Sequence, residues 1–547
     1  MAFELEHDWQ QNLATPRARI GEKAKTRLLI LLCTVWVCIG LLSHQPWKPD
    51  EAQSISIINN MLQQGNFAAP IATGENSIAN PPLYYLTAAG LATLLSPVLS
   101  MHDGARLVTG LWMALTLLLI GMIGRELWGW GAGRQTTFIF LGSVGLVVTA
   151  HLLMPEVAAL TGIAMGLYAL ALAKRRPFRA SGLLGCGIGI AFLTGGLNAA
   201  LITVTAALAL PLFANWRNRS YAVVLGLGLL IALPWLAIWP LWLRQSAPEI
   251  LAAWWQNSLQ LFSTTYHTYF LNLLSWYAWP ALPLALWGLW RYRKDLLVQR
   301  QYQLLLTFFL AVFLFVGFSP DDRGIYALPL LLPLAALAGG SIETLRRGAA
   351  SALDWFGLIL FGFMGFFIWL GWIAMMWGWP AKLAERMHKL SGVDIAVLSW
   401  PGLITALIVT TIWLIVIHNP RRSNRSAVTD WAVGMTMAWS LLMTLWLPWI
   451  DSARSYKDIM LSIQNALPAS YACINSKDLG NAQAALLDYY TGIRTLPAKA
   501  GERLECDLYL IQDERRRDKV QPGPEWQLIW QGKRAAERRE SFRLYQR

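Results

Sequence analysis

Charge is what this sequence has least of. Asp, Glu, Lys and Arg make up 14% of its 547 residues, where an ordinary soluble domain carries about 25%. Hydrophobic residues reach 55%, and through the first 450 positions they recur in runs long enough to cross about 30 Å of hydrocarbon as helices. Backbone amides in such runs have no water to bond, so helix is the form that satisfies them. An ordinary soluble fold is excluded, and a polytopic membrane protein remains. The interiors of the runs are almost free of ionisable residues. That argues against a coupled transporter, which places such groups within its spans.

Cysteine and histidine are also scarce, at five and seven. There is no Cys-x-x-Cys and no His-rich metal spacing. Carboxylates alone could hold a divalent metal, but no ligand spacing specifies one. Cys33, Cys38 and Cys186 lie inside apolar runs and read as packing residues. Cys473 and Cys506 share the polar C-terminal segment, where an oxidising compartment would join them as a disulfide. A small-residue cleavage site is missing after the apolar run at 28–44. That run therefore reads as a retained first span with a cytoplasmic N-terminal tail, residues 1–27.

The charge that is present sums to +13. It sits in short loops between apolar runs, not in a stripe interleaved with aromatics, so nucleic acid is no partner. Spans are expected near 28–44, 107–124, 135–152, 156–173, 182–195, 197–214, 221–243, 273–290, 303–318, 324–340, 353–378, 400–418 and 431–449. With thirteen spans, 22 Lys and Arg fall in cytoplasmic segments. Only Lys48, Arg106, Arg244, Arg323, Lys382, Arg386 and Lys389 fall in outer loops up to residue 430, as the positive-inside rule requires. Counting the run at 82–99 as a span would invert every later loop. With Pro81 and Pro82 at its head, it reads as a helix at or partly in the outer leaflet.

The polar outer segments are then loop 45–81, the aromatic loop 244–272, the acidic turn 319–323 and residues 450–547. The last contains strand-like stretches at Tyr471–Asn475, Cys506–Gln512, Trp526–Gln531 and Ser541–Tyr545, with a helix at Asn481–Tyr490. A small α/β extracytoplasmic domain is expected, beside an all-α membrane domain over 28–449. In the basic loop near 382–389, Lys382, Arg386 and Lys389 recur at helical spacing and read as a solvated amphipathic helix.

Chemistry is concentrated in the first loop. Trp47-Lys48-Pro49-Asp50-Glu51 opens it, with Pro49 suited to a helix entry and the two acids to its first turn. Ile55, Ile58 and Leu62 follow at helical spacing and Gly65 stops the run, which predicts an amphipathic helix at the membrane interface. Glu156 follows Pro155 at the outer start of another span, with His151 about one turn earlier. Asp321 and Asp322 lie at a further outer boundary, ahead of Arg323 and Tyr326. Acids from separate loops at one membrane depth can converge.

In order, Trp47-Lys-Pro-Asp50-Glu51, Gly65-Asn-Phe-x-x-Pro70, Gly74-Glu-Asn76 and Asn80-Pro-Pro-Leu-Tyr-Tyr85 resemble the first outer loop of one superfamily. It holds the lipid A aminoarabinose transferases and protein O-mannosyltransferases, glycosyltransferases of the GT-C type that use polyprenyl-phosphate sugars. Met154-Pro155-Glu156, Tyr269-Phe270, Trp276-Tyr-Ala-Trp-Pro280 and Arg323-Gly-Ile-Tyr326-Ala-Leu-Pro329 continue the likeness along the chain. The resemblance implies a bacterial inner-membrane enzyme with a periplasmic C-terminal domain. It would move a sugar from its polyprenyl carrier to lipid A, another glycan or a protein, by inverting displacement.

Asp50 is then the leading catalytic acid, with Glu51 adjoining and Glu156 as the second acid. A carboxylate in hydrogen-bond reach takes the proton of the attacking hydroxyl. The leaving phosphate needs charge stabilisation instead. An acceptor that is itself a phosphate needs no base, and Asp50 would then orient it. Asn80 stands where the aminoarabinose branch has Lys, and Thr264 and His267 stand near the place of its Arg. The implied donor-phosphate set is therefore Asn80, His267, Tyr269, Arg323 and Tyr326. A flippase for the same lipid carrier is the alternative, and a non-catalytic scaffold leaves the first-loop motif unexplained.

Overall fold

The computed structural model describes residues 22–74, 80–259, 269–319, 323–391, 398–418, 423–498, 506–514, 522–534, 537 and 540–547. Among them, eight helices are long and apolar enough to cross a membrane. A ninth is made if Asn424–Leu445 and Leu447–Arg454, bent by 71°, count as one span. This is fewer than the thirteen runs of the sequence partly because Pro177–Leu212 counts once while covering two of them, and partly because helices break where hydrophobicity does not. The run at 135–152 divides at Gly142 into Ala132–Leu141 and Val144–Thr149. The run at 273–290 divides around Pro280, which lacks an amide hydrogen, into Tyr269–Tyr277 and Ala281–Arg291. The first helix among the described residues, Glu22–Cys38, has 17 residues.

Pro177–Ala209 is one helical stretch by its hydrogen bonds, yet Gly196 inside it has φ 74° and ψ −162°. A Cβ on Gly187 would lie 2.8 Å from the Gly166 nitrogen, and one on Gly166 would lie 2.4 Å from Thr203 Cγ2. In a straight helix, residues 187 and 203 would stand about 24 Å apart. Both meet Gly166, so the chain turns back at Gly196. The boundary read between 182–195 and 197–214 falls at this residue.

Leu83–Leu95 has 13 residues, about 20 Å of helix and too short to span. It turns Tyr84, Tyr85, Ala88, Ala89 and Ala92 inward. The first-loop helix runs Asp50–Gln64, entered at Pro49 and closed by Gly65 at φ 69°. It is not the half-exposed interfacial helix of the sequence reading. Ser54, Ser56, Ile57 and Asn59 are buried along with Ile55 and Ile58, while Leu62 is 38% exposed. A second layer covers it.

That layer is the C-terminal domain. Among its described residues five strands, β1 Ile474–Lys477, β2 Leu496–Pro497, β3 Leu508–Glu514, β4 Gln527–Gly532 and β5 Glu540–Gln546, form one sheet, in the order β2-β1-β3-β5-β4. β1 is parallel to β2 and β3, while β5 is antiparallel to β3 and β4. The helix Asn481–Thr491 crosses from β1 to β2. Cys473 and Cys506 form a disulfide just ahead of β1 and β3. Leu486, Leu508, Leu510, Phe542 and Leu544 share one core with Ile55, Ile58, Tyr84, Tyr85 and Ala88. The domain is thus packed directly onto the first loop, which defines one end of the bundle as the domain end.

The reversal at Gly196 can be tested alone. The nearest atom to a Cβ at Gly196 is Pro81 Cγ at 3.9 Å, so a methyl has room and only the backbone conformation resists it. Gly196→Ala is expected to destabilise by about 1–3 kcal/mol, read as a lower midpoint of thermal unfolding in detergent.

Candidate active site

Consecutive helical residues point about 100° apart, and this separates the two acids of the first loop. Glu51 points inward and is 1% exposed. Its Oε1 accepts from Arg106 Nε at 2.8 Å and from the Leu153 amide at 2.9 Å. Its Oε2 accepts from the Trp47 amide at 3.0 Å. Arg106, also fully buried, donates further to the carbonyls of Leu41 and His44 and to Asp103. Burial alone would raise the Glu51 carboxyl, but Arg106, His44 and the Leu153 amide outweigh it and hold its pKa low. Its oxygens are taken and no face is left for a substrate. The pairing of Glu51 with Asp50 as catalytic acids therefore does not fit this geometry.

Asp50 points the other way. Its Oδ1 accepts from Arg323 Nη1 at 2.7 Å, and Arg323 Nη2 in turn donates to the Tyr326 hydroxyl. The Arg323 guanidinium also lies 5.0 Å over the Tyr326 ring. Asp50, Thr149, Leu152, Met154, Tyr269, Arg323, Gly324 and Ile325 line a hollow of about 470 Å³. Burial raises the Asp50 carboxyl above the ordinary Asp value, and Arg323 opposes the rise. Burial also disfavours the Arg323 cation, but Tyr326, Glu156 and Asp50 outweigh that and raise its pKa.

Ile325 borders a second cavity as well, of about 490 Å³. Glu156 lies in its wall, at the start of Pro155–Leu172. Asn80, Trp254, Asn257 and Tyr326 join it there, together with Gly195-Gly196-Leu197-Asn198 from the chain reversal. Glu156 Oε2 is buried without a hydrogen-bond partner. Asp50, Glu156, Asn80, Tyr269, Arg323 and Tyr326 thus surround two adjoining hollows. His267, Thr264, Asp321 and Asp322 lie outside the described residues. His151 is elsewhere: its ring nitrogens face the carbonyls of Val147 and Trp36, and it stacks on Trp439 in the core. Lys382, Arg386 and Lys389 are exposed on the helix Ala381–Ser391. Among the described residues, no three His, Cys, Asp or Glu gather closely enough to share a cation.

Sequence reasoning passed over three residues that hold the site. Arg106 entered only as one outer-loop cation. Asp451 Oδ1 accepts from the Gln45 amide and the Trp47 indole, both at 2.9 Å. Glu540 accepts from Lys48 Nζ at 2.8 Å. For Arg106 a signal existed, a lone arginine at the edge of a long apolar run. For the other two, no local pattern distinguishes them from solvated acids.

No family model matches the chain. It is 25% identical, over 410 residues, to undecaprenyl phosphate-alpha-4-amino-4-deoxy-L-arabinose arabinosyl transferase 1 of Pseudomonas fluorescens, covering 71% of this chain and 72% of that protein. With the transferase of the same description from Pseudomonas aeruginosa it shares 28% over 360 residues, 61% of this chain and 63% of that one. With that of Pseudomonas savastanoi it shares 26% over 465 residues, 81% of each. The crystal structure of ArnT from Cupriavidus metallidurans bound to undecaprenyl phosphate superposes with a TM-score of 0.64 at 15% identity. The match covers 96% of this chain and 98% of that one. Its apo state gives 0.63 at 16% identity, over 95% and 98%. The fold is shared, and the glycosyltransferase resemblance carried by the first loop extends to these named relatives.

The two neighbouring acids should separate on mutation. Glu51→Ala strips buried Arg106 of its fully buried counter-charge, leaving only Asp103 beside it, and is expected to cost about 3–5 kcal/mol. Asp50→Asn, on the cavity wall, should leave the unfolding midpoint close to that of the parent. A comparison of thermal unfolding in the same detergent checks both.

Proposed function

We propose that this protein is a multi-pass inner-membrane glycosyltransferase that moves a sugar from a polyprenyl-phosphate carrier to an extracytoplasmic acceptor. The observation that carries the reading is the arrangement at the hollow. One carboxylate, Asp50, is held on the wall by a cation, Arg323, while its neighbour Glu51 is sealed in the interior. A displacement at an anomeric carbon uses such a set. Asp50 takes the proton as the acceptor hydroxyl attacks. Arg323, with the Tyr326 hydroxyl beside it, faces the departing phosphate and stabilises its charge. Asn80 and Tyr269 line the path, and His267 belongs to the same set by its place in the sequence. Direct attack by one hydroxyl inverts the anomeric configuration.

Glu156 refines the donor. A carboxyl oxygen in a buried wall without a hydrogen-bond partner favours a ligand that brings a donor. The relatives are named for a 4-amino-4-deoxy sugar, and its ammonium meets that need. Of the acceptors that the first-loop resemblance implies, lipid A, another glycan or a protein, we take lipid A, since the relatives are named for the aminoarabinose sugar of that branch. The charge bias among the loops supports a cytoplasmic N-terminus and a periplasmic C-terminal domain. A flippase for the same carrier is not favoured, since the relatives are named transferases and the acids surround a cavity at the domain end.

Mass analysis of envelope lipids from cells with and without the gene identifies the product. Asp50→Asn is expected to lower turnover on the order of a hundredfold or more. Purified Asp50→Asn protein with full turnover would overturn the assignment. The pH profile gives a second test. Asp50 acts as carboxylate, so activity is present above its pKa and is lost as pH falls through it. Because burial raises that pKa, the acid limb lies above the ordinary Asp value of about 3.9. Arg323→Gln removes the partner that lowers it and should move the limb to higher pH. A limb that does not move assigns the titration to another group.

A further inference from the structure

The residue two places before Asp50 is tied to the far end of the chain. Lys48 Nζ donates to Glu540 Oε1 at 2.8 Å, across 492 positions of sequence. Glu540 opens β5 and is 9% exposed as a side chain. It gathers further donors: Tyr456 at 2.6 Å, Gln483 at 2.7 Å and Gln512 at 3.1 Å. Arg534 Nη2 stands 3.7 Å away. The carboxylate is therefore a prebuilt acceptor inside the C-terminal domain, and Lys48 is the donor that reaches it from the first loop. The same stretch is gripped from the other side. Asp451 holds Gln45 and the Trp47 indole, and Tyr490 donates to Gln45 Oε1 at 3.0 Å.

A lysine on a solvated loop gains little from a surface carboxylate, because its long stem loses rotamer freedom and water competes. Here the acceptor is buried and preorganised, so the tether has one geometry. Between Lys48 and Asp50 stands only Pro49, whose ring fixes φ. A displacement of Lys48 is passed to the turn that aims Asp50 at the hollow. Catalytic groups lose on the order of a hundredfold when misplaced by about 1 Å.

We infer that Glu540 is a positioning residue for transfer, holding Asp50 on line through Lys48, so that the C-terminal domain sets turnover as well as covering the loop. This rests on the reading of Asp50 as the acid of the reaction.

The test uses purified full-length protein and undecaprenyl-phosphate 4-amino-4-deoxy-L-arabinose as donor probe with lipid A as acceptor. Hydrogen exchange at the amides of residues 47–52 is measured in parallel and needs no substrate. Glu540→Gln and Lys48→Met are each expected to lower kcat on the order of tenfold to a hundredfold, with KM for the donor within about twofold. Exchange at 47–52 should speed up while the unfolding midpoint holds. Lys48→Arg should keep most of the rate, and Lys48→Met combined with Glu540→Gln should lose no more than the worse single variant, since both break one link. The inference is overturned by unchanged kcat and unchanged exchange in Glu540→Gln. It is equally overturned by losses that multiply in the double variant, or by a fall in rate that follows a fall in unfolding midpoint. Should Asp50→Asn retain full turnover while exchange at 47–52 still responds to Glu540→Gln, the tether stands as structure and the reading of Asp50 fails instead.

Discussion

The buried ion pair between Arg106 and Glu51 is the constraint from which the site is built. Both side chains are essentially without solvent contact, and desolvating two charges is expensive unless each is fully bonded. Most of that bonding is supplied by bringing three separate segments to one point, with Arg106 Nη2 left without a partner. The carbonyls of Leu41 and His44 come from the segment after the helix Glu22–Cys38, the Trp47 amide from the loop entry, and the Leu153 amide from the approach to the helix Pro155–Leu172. Asp50 is the next-door neighbour of Glu51, and Glu156 follows Leu153 by three residues. This buried pair thereby sets where two other acids can lie.

The three acids then differ by what surrounds them, not by type. Glu51 is matched by a buried arginine and kept ionised. Asp50 is matched by Arg323, which is half-exposed and shared with Tyr326. Glu156 keeps one oxygen without a partner. In the proposed reaction a phosphate entering the hollow would compete with Asp50 for Arg323. As the guanidinium turned to the phosphate, the carboxylate would lose its counter-charge and become a better proton acceptor. Donor binding and activation of the base would then be the same electrostatic event. The open Glu156 oxygen in the adjoining wall is placed to accept a hydrogen bond from a ligand in the second cavity.

Much of this was legible in residues that act locally. Pro49 and Gly65 bracket the first-loop helix in sequence and in structure, because a fixed φ suits an entry and a left-handed exit needs glycine. The strand pattern near 506–512 and 541–545 survives as the centre of the sheet, where alternation and β-branched or aromatic content both apply. The chain reversal at Gly196 coincides with the boundary drawn between two apolar runs. What was not legible is pairing over distance. Asp50 and Glu51 are adjacent acids in the first turn of one helix, and nothing in that turn says which faces Arg106, 55 residues on, and which faces Arg323, 273 residues on. Hydropathy also gives length without continuity, so the breaks at Gly142 and Pro280 were absorbed into single spans.

The covering of the first-loop helix has a trace in composition that interfacial amphipathicity obscures. A helix that lies on a membrane surface carries Lys and Arg on its polar face. Asp-Glu-Ala-Gln-Ser-Ile-Ser-Ile-Ile-Asn-Asn-Met-Leu-Gln-Gln carries none, and after its first turn it carries no charge at all. Its polar residues Ser54, Ser56 and Asn59 lie around more than one face, and all three are small enough to be buried if partners are supplied. The Thr73 amide donates to Ser56 Oγ, and Thr73 and Arg494 both bond Asp488 of the domain. A helix uncharged on its polar side is suited to a protein roof, not to headgroups. The domain that supplies the roof carries Glu540, so covering the helix and aiming its first acid belong to one contact surface.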